Sequence, residues 1–139
     1  MVAYRSVAVE PFDDSTVTTL AEQSASKNEK LEITGYLYFD SGQFFQYIEG
    51  TEESVKALYH SIASDTRHKI THKIEFSGQA ERIFPNWRMW NVKAGWPNQD
   101  LQHLETKLKS LLDMACAQRL TEIEFAKSLQ AVNSQINLI

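Results

Sequence analysis

Glu32–Gly50, EITGYLYFDSGQFFQYIEG, decides the fold. Two aromatic and β-branched runs, Glu32–Phe39 and Gln43–Glu49, flank Asp40-Ser41-Gly42, and that pattern predicts a β-hairpin. Upstream, Ala3–Val9 is a further strand of small and β-branched residues that stops before Pro11. Asp13, Asp14 and Ser15 then supply an N-cap and an acidic first turn for a helix running to about Lys27. Downstream, Thr51-Glu52-Glu53 caps a second helix reaching about Ser64, with Val55, Leu58, Tyr59 and Ile62 as its buried stripe. Ile70–Phe76 and Ile83–Val92 are two more extended runs. The order reads as βαββαβ: an α+β, ferredoxin-like fold with a four-stranded sheet and both helices on one face.

Gly95, Pro97 and Asn98 punctuate the end of this unit, dividing the chain into a domain over 1–97 and a helical extension over 98–139. In the extension, Leu101, Leu104, Leu108, Leu111 and Leu112 form one apolar stripe, and Phe125, Leu129, Val132 and Ile136 form another. Two such short helices do not stand alone in water. They are expected to cover the other face of the sheet, with Arg5, Val7, Phe45, Tyr47 and Trp90, or to meet a second copy of the chain.

Composition narrows the function. A chain of 139 residues buries one substantial core without disulfides or structural metals. The net charge of −4, with no basic stripe, lacks the footprint of a nucleic-acid binder. A single cysteine, Cys116, excludes an internal disulfide and any CxxC site, and its apolar helical setting makes it a packing residue. No signal peptide and no run of eighteen apolar residues occur, so a cytoplasmic protein without a membrane span is expected. His60, His68, His72 and His103 are scattered without metal-ligand spacing, and there is no P-loop, GxGxxG or Ser-His-Asp set. Aromatic residues make up 11% of the chain, a surplus that suits something flat.

The alternation of side chains along strands gives the sharpest clue. Phe44, Gln46 and Ile48 share one face of their strand, opposite Phe45 and Tyr47; Tyr4, Ser6 and Ala8 share a face of the first strand. On the first helix Val17, Leu20, Ser24 and Asn28 fall on one stripe. Packed together, these elements gather Tyr4, Ser6, Ser24, Asn28 and Gln46 in an otherwise apolar layer. Buried polar groups usually satisfy one another. Five between one helix and one sheet point instead to a bound ligand with a flat apolar body and an amide-like edge. Arg67, at the negative end of the second helix, either complements that helix or reaches a phosphate, and Lys27 and Lys30 carry the same two readings.

These residues resemble the BLUF domain, a blue-light sensor that uses FAD, over residues 3–92. Tyr4-Arg5-Ser6 is similar to its Y-x-S, and Asn28 stands six residues before Thr34-Gly35 as in N-x5-T-G. Phe44 to Gly50 resembles F-x-Q-x-x-E-G. Asp65-Thr66-Arg67-His68 resembles D-x-R-H, and Arg82 to Met89 resembles R-x-F-x-x-W-x-M. The resemblance implies FAD with its ring between the two helices on the sheet. Tyr4 becomes the redox-active phenol and Gln46 the amide linking it to the ring. Asn28 would hold the ring's polar edge, Leu20 and Ile62 would sandwich it, and Arg67 and His68 would lie toward the phosphates. Ser6, Ser24, Lys27 and Phe44 complete the implied cofactor site. Trp87 and Met89 are placed on the last strand beside Gln46, where the signal would leave, with Trp87 on the flavin side.

The function implied is a short photoreceptor without catalytic turnover. Its light-driven electron and proton transfer from Tyr4 through Gln46 is relayed by the last strand and the C-terminal helices to an unidentified protein effector, in a homo-oligomer. The alternative from another class is a ferredoxin-like regulatory module holding a colourless metabolite in the same cleft. Three positions depart from the family pattern: only three residues precede Tyr4, Lys27 stands where Asn or His is usual, and Glu32 replaces a usual Gly.

Overall fold

The computed structural model describes residues 1–9, 13–75, 82–85, 87–91 and 103–137, with positions 14, 17, 18, 20, 21, 25, 88–91 and 137 described by backbone alone. The elements in chain order are β1 (Val2–Ala8), α1 (Asp14–Lys30), β2 (Thr34–Asp40), β3 (Gln43–Glu49), α2 (Glu52–Ala63), β4 (His68–Glu75), β5 (Arg88–Asn91), α3 (His103–Cys116) and α4 (Glu122–Asn137). The expected punctuation at Gly95, Pro97 and Asn98, with Phe76, Val92 and Leu101, lies outside the described residues.

The sheet order is β4-β1-β3-β2-β5. Its first four strands are antiparallel, the ferredoxin-like arrangement. The run expected over Ile83–Val92 contributes only the four residues of β5, which adds a fifth strand parallel to β2. The shortening has a local cause. Pro85 has no N–H to give a ladder, and the amides of Ile83 and Phe84 donate instead to the Glu49 carboxylate, at 3.0 and 2.7 Å.

Each boundary has a chemical reason. Asp13 accepts from the Thr16 amide at 2.7 Å and Thr51 from the Ser54 amide at 3.2 Å, capping α1 and α2. Helix α1 ends in a Schellman turn, with Glu32 N–H donating to the Glu29 carbonyl and Ile33 N–H to that of Asn28. That turn needs a left-handed residue, and Glu32 takes φ 54° where glycine would be at ease. The hairpin turn has φ 51° at Ser41 and 77° at Gly42, the two positive values a type I′ turn requires. At Gly35, φ is 152° and a Cβ would lie 1.9 Å from the Tyr47 carbonyl oxygen, so only glycine lets β2 approach β3 there.

Two cores follow from the alternation of side chains. Under α1 and α2 lie Val2, Leu37, Phe39, Phe44 and Ile48 with Ile33 and Val55. On the other face Ala3, Tyr36, Tyr38, Phe45 and Tyr47 pack with the leucines of α3 and with Phe125, Leu129 and Val132 of α4, so the C-terminal helices do cover the sheet. Several contacts among the described residues fasten helix α3. Tyr36 OH donates to the Leu108 carbonyl at 3.1 Å, Arg5 pairs with Asp113 at 2.9 Å, and Lys109 with Asp40 at 3.2 Å. The cover stops short of Val7, which is 40% exposed rather than buried as expected. Trp90 was expected on this face too, but its side chain lies outside the described residues. Cys116 at the end of α3 is buried, and burial pushes its thiol up to about 11.

Candidate functional site

A cleft of about 200 Å³ opens between α1, α2 and the sheet. Strands β1, β2 and β3 give it Tyr4, Leu37, Phe44 and Gln46; α1 gives Gln23, Ser24, Lys27 and Asn28. Leu58, Ser61 and Ile62 of α2 form the other wall, and Asp65, Arg67 and His68 close the end. Apolar walls with a few convergent polar groups are the usual make-up of a small-molecule site.

Tyr4 and Gln46 are register partners on β1 and β3. The Tyr4 hydroxyl donates a short hydrogen bond to Gln46 Oε1, and both residues are buried. Burial, with the nearby Tyr59 and Asp65, pushes the Tyr4 phenol far above its ordinary value, so it remains protonated. Its ring meets those of Tyr59 and His68 edge-on, each at 6.2 Å between centroids. His68 Nε2 donates to the Ile62 carbonyl at 2.8 Å, which leaves Nδ1 to face the Ser6 hydroxyl at 2.7 Å. Ser6 is therefore buried behind His68 and does not line the cleft.

Asn28 is 1% exposed, and its Oδ1 has no hydrogen-bond partner among the described residues. A buried amide oxygen left unpaired costs about 1–3 kcal/mol. At the cleft mouth, Arg67 grips Asp65 through Nε at 3.0 Å and Nη2 at 2.6 Å. The guanidinium holds the Asp65 carboxyl down at about 2.

Of the residues singled out from sequence, Tyr4, Ser24, Lys27, Asn28, Phe44, Gln46, Ile62, Arg67 and His68 are brought together here. The side chains of Leu20 and Met89 lie outside the described residues. Trp87 is a correction. It precedes β5, and its ring stacks on Phe84 at 4.2 Å and 5°, within the core under α3 and α4 rather than on the cleft side. Nor is the last strand beside Gln46, since β5 borders β2 and β2 separates it from β3. The resemblance put Trp87 on the last strand, whereas β5 begins only at Arg88. Sequence reasoning missed Gln23, Ser61, Leu37 and Asp65 as lining residues. Leu37 was findable, being the register partner of Gln46 across the hairpin.

A family profile described as BLUF, sensors of blue-light using FAD, matches residues 1–90. The chain belongs to the BLUF family. Among curated BLUF relatives, the blue light- and temperature-regulated antirepressor BluF of Escherichia coli (strain K12) is 39% identical over 59 residues, 40% of this chain and 15% of that protein. The photoactivated adenylate cyclase subunit alpha of Euglena gracilis is 28% identical over 88 residues, 62% of this chain and 9% of that protein. The chain thus spans only a small part of either. The dark-state structure of the BLUF protein BlrB matches with TM-score 0.68 and 26% identity, covering 94% of this chain and 93% of that one. A bacterial light-regulated adenylyl cyclase matches with TM-score 0.62 and 25% identity, covering 85% and 35%. Among the described residues no helix is long and apolar enough to cross a membrane, and no His, Cys, Asp and Glu cluster is set to hold a metal ion.

Proposed function

We propose that this BLUF chain binds FAD in the cleft between α1 and α2 and senses blue light through Tyr4 and Gln46. The observation that carries the reading is the buried hydrogen bond from Tyr4 OH to Gln46 Oε1 on the cleft floor. The residues present fit the cofactor. The unpaired Oδ1 of Asn28 calls for a donor, as the edge of a flavin ring offers. A volume of about 200 Å³ suits a ring system rather than a whole dinucleotide. Leu37, Phe44, Leu58 and Ile62 would be its apolar walls, and Lys27, Arg67 and His68, which also line the cleft, would hold the charged remainder.

Bound FAD supplies a ring that absorbs blue light and becomes a strong oxidant when excited. Tyr4 is the electron donor. A phenol that loses an electron becomes strongly acidic, and its proton here has an acceptor already in place, Gln46 Oε1. With Oε1 protonated by Tyr4, the amide would pass one Nε2 proton on to the bound ring and become a tautomer; when an electron and a proton return to Tyr4, an amide left tautomeric or rotated would have exchanged its donor and acceptor ends. Either change forces the partners of a buried amide to pair anew, which a packed interior registers as a switch between discrete arrangements. The output runs through β5 and the C-terminal helices to a protein partner. The sensor unit covers 1–97, the relay covers 98–139, and the chain acts as a cytoplasmic homo-oligomer.

Purified protein should be yellow, and blue light should shift its flavin absorption reversibly to the red. Tyr4→Phe and Gln46→Ala should abolish the shift while flavin stays bound. A colourless protein that takes up no FAD, or a normal photocycle in either variant, refutes the reading.

A further inference from the structure

Glu49 is 2% exposed, at the end of β3 on the face away from the cleft, and its carboxylate is saturated with donors. Oε1 accepts from Phe84 N–H at 2.7 Å and Thr34 Oγ1 at 3.2 Å. Oε2 accepts from Tyr47 OH at 2.8 Å and Ile83 N–H at 3.0 Å. An acceptor-only, ionised carboxylate is the species this set fits. Burying a charge is costly unless every lone pair is used, so such a site persists where the pairing itself matters.

The donors come from three separate places: β2, β3 and the segment before β5. We infer that Glu49 is a positioning residue that clamps Ile83 and Phe84 to β3, so that these residues and α3 follow β3 when Gln46 rearranges. The second half rests on the proposed photochemistry; the clamp itself does not. Glu49 lies three residues from Gln46 on one strand and takes the hydroxyl of the intervening Tyr47. Beyond the clamp, Phe84 stacks on Trp87, and both meet the Tyr36 ring edge-on. The Tyr36 hydroxyl holds the Leu108 carbonyl of α3. Contact continuity is not coupling, so the deciding readout is a light-dependent change on the far side of the clamp.

The test is Glu49→Gln in FAD-loaded full-length protein, followed by amide hydrogen exchange in the dark and in blue light. The variant keeps the shape but turns an NH₂ toward donors. Exchange at Ile83 and Phe84 in the dark should accelerate about tenfold or more, the loss expected for bonds to a charged acceptor. Flavin uptake and the red shift should persist, while the light-induced change in α3 exchange disappears. Unchanged dark exchange at 83 and 84 overturns the clamp. An α3 response of wild-type size beside a loosened clamp overturns the coupling. Should Glu49→Gln not fold, wild-type exchange in the dark decides: Ile83 and Phe84 amides that exchange as fast as unprotected ones overturn the clamp. A wild-type protein without a red shift sinks the proposed function and the coupling with it, and the dark comparison still decides the clamp.

Discussion

Glu32 sits at the left-handed position that closes α1, with φ 54°. A non-glycine residue held there carries the strain of its Cβ against the following carbonyl, about 1–2 kcal/mol before the larger conformational entropy that glycine loses on folding is set against it. Glu32→Gly should therefore stabilise the protein by about 1 kcal/mol, read as a higher urea midpoint with an unchanged slope. A lower midpoint would show that the Glu32 side chain contributes more than its backbone costs. The departure from the family pattern was visible in the sequence, but its meaning was not. Only the turn geometry shows that the missing glycine was a helix stop. Other single residues were legible because strand alternation is strict: Tyr4, Phe44 and Gln46 fell on one face as expected. Asp65 was not legible as part of the cleft, because a short turn carries no periodicity from which to orient a side chain.

The elements separate by how local their signals are. The hairpin was read with β3 at its observed bounds, since turn chemistry and both strands lie within nineteen residues of sequence. Strand β5 was overextended and its place in the sheet was not foreseen. Its neighbour β2 lies some fifty residues upstream, and parallel pairing leaves no local mark. Helix α3 was found from its leucines, yet its fastening through Tyr36 could not be, because a hydroxyl on a mainly aromatic strand does not announce its acceptor. That bond gives an element-level prediction. The Leu108 carbonyl sits inside a helix, so removing its extra donor leaves no orphan. Tyr36→Phe should cost only about 1 kcal/mol of stability, measured by chemical denaturation. A loss above about 3 kcal/mol would mean that the hydroxyl organises α3 well beyond one hydrogen bond.

At the scale of the whole molecule, the most deeply buried tyrosines, Tyr4, Tyr36 and Tyr47, set the alkaline limit. Burial pushes the phenols of Tyr4, Tyr36 and Tyr47 above their ordinary value of 10.0, with Glu49 adding to the effect at Tyr47. The folded protein keeps these protons where the unfolded chain sheds them. Stability is therefore undiminished below pH 10 and falls above it, by up to about 4 kcal/mol per pH unit for three protons. In a titration through the alkaline range, tyrosinate absorbance from these residues should appear in one step with loss of helical circular dichroism. Their ionisation well before any unfolding would contradict the burial. The net charge of −4 has no such role; it reads only as the missing attraction for nucleic acid.

The central sheet is a wall one peptide thick, and β1 and β3 furnish both of its rooms by turns: Tyr4 then Arg5, Gln46 then Tyr47. Such a wall has a parity. One residue inserted into either strand, and not taken up as a bulge, would turn the residues beyond it into the opposite room: Arg5 toward the cleft from an insertion early in β1, or Gln46 toward α3 from one early in β3. An insertion at Ser41-Gly42 would leave both intact. The helices on the outer face stand on the other side of that parity and contribute none of the described residues that line the cleft.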